Sequence, residues 1–201
     1  ITQLRKHSFC IEDKGDIKDY LSIHLCQTPS EPTKLFQPHL IDQLISDVHL
    51  PANTLKCTPT LSMHILQHNE DEPDFDRCFH YCLVIGKLNF LKKSTWLDIA
   101  YAVHQCACFC EHPKQSHGDA VIHLMKYLAA MWNEGIILDP QSEKSFKVFA
   151  DADFIGNWNR STAADDVSTA KSRTSYIVNY ASCPIMWCSK LQMQIALSTT
   201  E

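Results

Sequence analysis

The sequence predicts an α+β fold, and three observations predict it. Apolar residues recur at helical spacing in three stretches between residues 76 and 135, the period shortens to that of strands from Ser145 onward, and a hairpin pattern with one short helix precedes both. The 201 residues are enough for one large or two small domains, and 45% hydrophobic with 20% charged residues describes an ordinary folded chain.

Taken in order, residues 1–9 read as the end of a helix begun upstream, and Lys14-Gly15-Asp16 as a turn. Tyr20 to Leu25 alternates loosely and is separated by Pro29-Ser30-Glu31-Pro32 from Leu35-Phe36, which predicts a hairpin. Leu40, Ile41, Leu44, Ile45 and Val48 then mark an amphipathic helix. Residues 51–75 hold prolines, a Thr/Ser-rich run and the acidic cluster Glu70-Asp71-Glu72-Pro73-Asp74, and read as a linker with a solvated acidic surface. Three helical patterns follow: Cys78, Cys82, Ile85 and Asn89; Ile99, Val103, Cys106 and Cys110; and Val121, Leu124, Leu128 and Met131. Ser116 and Asp119 are placed as a capping box for the third. Together these predict a small helical bundle. The strand-like runs 145–154, 173–180 and 184–197, with a long polar connection at 157–172, predict a three-stranded antiparallel meander. A sheet of three strands leaves an apolar face uncovered unless it docks on the helices or on an element not present here.

Composition bounds the function. A formal net charge of −5 argues against this piece alone gripping a phosphate backbone, because that affinity comes from Lys and Arg. Ten cysteines are scattered among eleven histidines without an export signal, so reduced thiols are expected. No apolar run approaches the ~18 residues of a membrane span, so the reading is a soluble intracellular chain, cytoplasmic or nuclear, without a membrane partner. The start at Ile1 and the finish at Thr199-Thr200-Glu201 read as cuts through something longer.

The stretch from Phe149 to Trp158 carries the best candidate for chemistry. Asp151 and Asp153 stand at i and i+2 of an apolar strand-like run, so their carboxylates share one face. Neighbouring carboxylates repel unless a cation or proton lies between them, and a divalent metal is the natural tenant. A strand end with a solvated acidic turn is the plainer reading. His104, Cys106, Cys108, Cys110 and His112 mimic a zinc cluster, but i and i+2 positions diverge on a helix, so these residues, with His117 and His123, are read as core and surface groups. No nucleotide-cradling glycine motif, nucleophile elbow or H-E-x-x-H occurs. Trp132, Trp158 and Trp187 could stack on bases, although core packing is the commoner fate.

Several motifs in order then resemble one family. They are Phe9 to Ile23, Leu35-Phe36-Gln37-Pro38 with Ile41, Val84 to Phe90, and Asp98 to Val103. They continue with His117 and Ala120, Tyr127-Leu128, Asp151-Ala152-Asp153-Phe154 with Gly156, Ser172-Arg173-Thr174, and Trp187 with Ser189-Lys190 and Ala196 to Glu201. This set resembles the Pol polyprotein of copia-type LTR retrotransposons, from the end of the reverse transcriptase into the RNase H domain. The resemblance implies that 1–50 is the end of the polymerase palm with its primer-gripping hairpin, 51–75 a linker, 76–140 thumb and connection helices, and 145–201 the opening three strands of an RNase H-like fold.

It further implies that Asp151 is the first metal-binding carboxylate of a site that cleaves the RNA strand of an RNA/DNA hybrid with two magnesium ions. Asp153 is implied to be structural or to support the ligand. The polymerase's paired aspartates would lie upstream of Ile1, and the other three nuclease acids after Glu201, so the resemblance implies that these residues alone neither polymerise nor cleave. The implied partners are an RNA/DNA hybrid and the remainder of the Pol polyprotein.

The departures from the family pattern have a direction. Arginine is replaced by Cys82, Trp96, Cys108, His123 and Lys126, glycine by Ser175 and Ser182, and proline by Leu97, each within reach of one C-to-T or G-to-A change. Arginine remains only at Arg5, Arg77, Arg160 and Arg173, which reads as a decaying genomic copy. Two other classes stay open beside this reading: a non-catalytic nucleic-acid- or protein-binding module, and a Cys/His zinc module.

Overall fold

The structure, a computed structural model, describes residues 15–28, 31–51, 55–60, 66–67, 70–156, 158, 160 and 167–198. The helix end expected over residues 1–9 lies outside the described residues, as does half of the polar connection at 157–172. What is described is a mixed α+β chain of four α-helices and two antiparallel sheets.

The first sheet runs β1 (Asp19–Tyr20), β2 (Ile23–Cys26), β3 (Thr33–Phe36) and β4 (Gly135–Leu138) in that order. The expected hairpin is the β2–β3 pair, with Leu25 opposite Leu35. The run from Tyr20 is broken at Leu21 and Ser22, both left-handed, which form a two-residue turn that pairs Tyr20 with Ile23. Strand β4 was not anticipated. It returns to β3 from about a hundred residues further on and places Gly135 opposite Phe36; a Cβ at Gly135 would come within 2.1 Å of the Leu35 carbonyl oxygen, so only glycine fits.

Between β3 and β4 the chain builds a helical core from α1 (Pro38–Asp47), α2 (Tyr81–Ser94), α3 (Ala100–Ala107) and α4 (Gln115–Ala130), with a 3₁₀ turn at Leu97–Ile99. Pro38 opens α1 where a missing N–H costs nothing. Ile41, Leu44, Ile99, Val103, Cys106, Val121, Leu124 and Leu128 are buried on the faces that periodicity picks. The face of α2 is a correction: Tyr81, Val84, Ile85, Leu88 and Leu91 are buried, whereas Cys78 and Cys82 are exposed and Cys78 precedes the helix. The aliphatic and aromatic residues outcompete cysteine for the core, since they remove more apolar surface from water. Met131 lies past the last turn of α4 and is 36% exposed, so the apolar stripe ends at Leu128.

The start of α4 is a second correction. Its N-cap is Lys114, not Ser116; the Lys114 N–H donates to His117 Nδ1 at 2.9 Å, closing the first turn from within. Ser116 instead donates from its N–H and its hydroxyl to Glu72, at 2.5 and 2.9 Å. That carboxylate, expected at a solvated surface, therefore satisfies an orphan donor at the positive end of a helix. Phe75, next to it, is buried against Gly118, where a Cβ would meet the ring at 2.4 Å. His117 Nε2 bonds the Gln67 carbonyl and His123 Nε2 the Thr58 carbonyl, both at 3.0 Å, so these histidines tie Thr58 and Gln67 to α4.

The second sheet is β5 (Phe146–Asp153), β6 (Arg173–Tyr180) and β7 (Cys183–Leu191), antiparallel in chain order. The first two strands match the expected runs; the third ends at Leu191 rather than at 197. Ala181 and Ser182 join β6 to β7 with φ of 49° and 68°, a two-residue turn that glycine occupies more easily than either. Ser182→Gly is therefore expected to stabilise the protein by on the order of 1 kcal/mol, seen as a higher urea midpoint with an unchanged slope.

One face of this sheet docks on the helices. Trp187 donates from Nε1 to the Lys92 carbonyl at 2.6 Å, the Leu191 N–H meets His104 Nε2 at 3.4 Å, and the Arg173 guanidinium lies 4.7 Å from the Tyr101 ring centre. The opposite face leaves Phe146, Val148 and Met186 more than half exposed.

Candidate functional site

Strand register places the candidate carboxylates. Phe149, Ile177 and Trp187 stand opposite one another, then Asp151, Ser175 and Ser189, then Asp153, Arg173 and Leu191. Directly opposed residues share a face, so Asp151 and Asp153 project to the side on which Trp187 meets the helices, as the i and i+2 spacing requires. Ser175 donates to Ser189 at 3.0 Å, a hydroxyl pair in the same row as Asp151.

That face overlooks a cleft of about 400 Å³ between the sheet and the segment that opens α3. Leu97, Asp98 and Tyr101 line its helical side, and Phe149, Asp151 and Trp187 its sheet side. Asp98 is held by the Tyr127 hydroxyl at 2.5 Å, and burial together with this carboxylate pushes the Tyr127 phenol above its ordinary range. Asp151 is solvent-exposed, and Asp153 turns toward its own bend, where a Cβ on Gly156 would run into its carboxylate. Asp151 and Asp98 are thus the two acids that face the cleft. The sequence marks Asp98 only as the start of the Asp98 to Val103 motif and not as a site residue, because only the fold carries it across from β5.

The described residues do not by themselves make a divalent-metal site. Among them no group of three or more His, Cys, Asp or Glu side chains converges on one point. The zinc-like cluster is dispersed: Cys106 is buried, Cys108 is exposed at the end of α3, and Cys110 is half-buried beside the core. The tryptophans depart from the expectation of core packing, since Trp132 is 42% and Trp158 52% exposed, with Trp132 donating to Asp42 at 2.6 Å. Trp187 alone of the three reaches the cleft.

Arg173 is only 5% exposed and sits near His104, Lys92 and Lys190. Burial, and then the Arg173, Lys92 and Lys190 charges, push His104 down to about 4. The folded protein therefore binds fewer protons here than the unfolded chain between that value and 6.5. The stability this histidine contributes is complete above the upper limit and is lost as the pH falls toward the lower. His104→Gln is expected to reduce the acid dependence of the urea midpoint across this window, measured against the parent protein.

Comparison with known proteins finds retrovirus-related Pol polyproteins of transposons, two of them similar to the chain over nearly its whole length and a third over 60% of it. It is 27% identical to the Pol polyprotein from transposon RE1 of Arabidopsis thaliana, over 96% of this chain and 12% of that protein. It is 33% identical to that of TNT 1-94 of Nicotiana tabacum, over 60% of this chain and 8% of the relative, and 27% identical to that of RE2 of Arabidopsis thaliana, over 100% and 13%. The chain thus spans about an eighth or less of these relatives' length. No family model and no solved structure matches it. No helix among the described residues is long and apolar enough to cross a membrane.

Proposed function

We propose that these residues are the part of a copia-type Pol polyprotein that joins the end of the reverse transcriptase to the opening strands of an RNase H-like domain, and that Asp151 is one carboxylate of its magnesium site. The observation that carries this reading is the position of Asp151: on the first strand of a three-stranded antiparallel sheet, facing an open cleft, where the motif match puts the family's first acid. Its substrate would be the RNA strand of an RNA/DNA hybrid, met inside the cell, cytoplasmic or nuclear.

A magnesium ion would supply a Lewis acid and an activated water there. Asp151 alone does not hold one, so the remaining oxygen donors would come from chain outside the described residues. The contribution of this chain is to fix one carboxylate on a rigid strand and to set Trp187 and Tyr101 along the cleft, where an aromatic face can meet a base. The net charge of −5 leaves most of the phosphate grip to the rest of the polyprotein.

The test is binding of a labelled RNA/DNA hybrid by a Pol polyprotein that carries this chain, at several salt concentrations. Salt-sensitive binding that prefers the hybrid over duplex DNA supports the reading. Absence of binding, or equal binding of both duplexes, contradicts it.

A further inference from the structure

We propose that Cys82 and Cys110 form an oxidisable thiol pair, at which hydrogen peroxide closes a disulfide between the start of α2 and the turn that follows α3. The two residues lie 28 positions apart, yet Cys82 Sγ sits 3.1 Å from the Cys110 carbonyl oxygen and donates to it. The approach does not depend on the thiols. Beside it, the Tyr81 hydroxyl donates to the Cys106 carbonyl at 2.8 Å, and Tyr81 and Cys106 are both buried. The two backbones are therefore held in register by the core, and a sulfur that already reaches the partner's backbone needs only side-chain rotation to reach its sulfur.

The neighbouring thiols are less well placed. Cys106 is buried, and Cys108 turns back along α3, its sulfur 3.3 Å from the His104 carbonyl oxygen. Cys82 is exposed and meets the oxidant first; Cys110 is half-buried. The Cys82 sulfur takes one oxygen from hydrogen peroxide, giving a sulfenic acid and releasing one water. The Cys110 sulfur then attacks the Cys82 sulfur, the S–O bond breaks, and the hydroxyl leaves as a second water with the proton from Cys110. Two thiols and one peroxide thus become one disulfide and two waters. Burial pushes the Cys110 thiol up to about 11, which makes it the slower, resolving partner at neutral pH.

The experiment treats the reduced full chain with hydrogen peroxide and maps peptides without reduction. The expected result is a Cys82–Cys110 linked peptide lacking two hydrogens and a melting temperature raised by a few degrees, both reversed by dithiothreitol. Cys82→Ser and Cys110→Ser should each remove the linked peptide, and Cys78→Ser should leave it. A link from Cys82 to Cys78 or Cys108, or oxidation of Cys82 to the sulfinic acid with Cys110 still free, overturns the proposal.

Discussion

Leu124→Ala is expected to destabilise the protein by about 2–5 kcal/mol, the range for deleting a fully buried leucine side chain and leaving part of its cavity behind. Leu124 has no solvent-exposed surface and lies mid-way along α4, the helix that packs on α1 and α3. Ile41, Leu44, Val121 and Leu128 belong to the same buried core, and a close-packed interior fills such a space only in part. Alanine keeps the helix, so the loss reports packing rather than helix propensity. Urea unfolding should show a lower midpoint at an unchanged slope. An effect below about 1 kcal/mol would mean that the helices do not form the close-packed core described here.

That core was the most legible part of the sequence. In α4 the apolar residues repeat at 121, 124 and 128, and local periodicity is enough to place such a helix. In α2 only Ile85 of the expected face Cys78, Cys82, Ile85 and Asn89 is buried, because Tyr81, Val84, Leu88 and Leu91 offer more apolar surface at equally good spacing. The start of α4 was misplaced for a different reason. Its capping partner, Glu72, lies 44 residues away, and only the folded chain brings it to Ser116.

Strand β4 shows the limit of local reading most plainly. Four residues, Gly135 to Leu138, carry too short an alternation to be told from a loop, and their partner is β3, on the far side of the whole helical core. The β5, β6 and β7 strands are longer and joined in chain order, and the first two were placed closely. The candidate site divides in the same way. That Asp151 and Asp153 share a face follows from strand geometry alone. That Asp98 and Tyr101 form the opposite wall depends on how the sheet docks, through Trp187 on Lys92 and Arg173 on Tyr101, and no spacing in the sequence encodes it.

Asp151→Asn has the largest expected effect on function. Under the proposed function this carboxylate is a magnesium ligand, and an amide in its place removes a negative charge and one strong oxygen donor. Disturbing only the partners that orient a ligand already costs about 10–100-fold, so loss of the ligand itself should exceed that. The fold should hardly notice, since Asp151 is exposed and surface changes of this kind stay within about 0.5 kcal/mol. Asp153→Asn separates the two acids. Asp153 lies against Gly156 and beside Arg173, so its replacement should act on the bend and leave most of the activity in place.

The most direct measurement is cleavage of the RNA strand of an RNA/DNA hybrid, in magnesium, by a Pol polyprotein that carries this chain, with and without Asp151→Asn. The account predicts magnesium-dependent cleavage that the substitution abolishes while the urea midpoint stays unchanged. Cleavage that survives Asp151→Asn would contradict it.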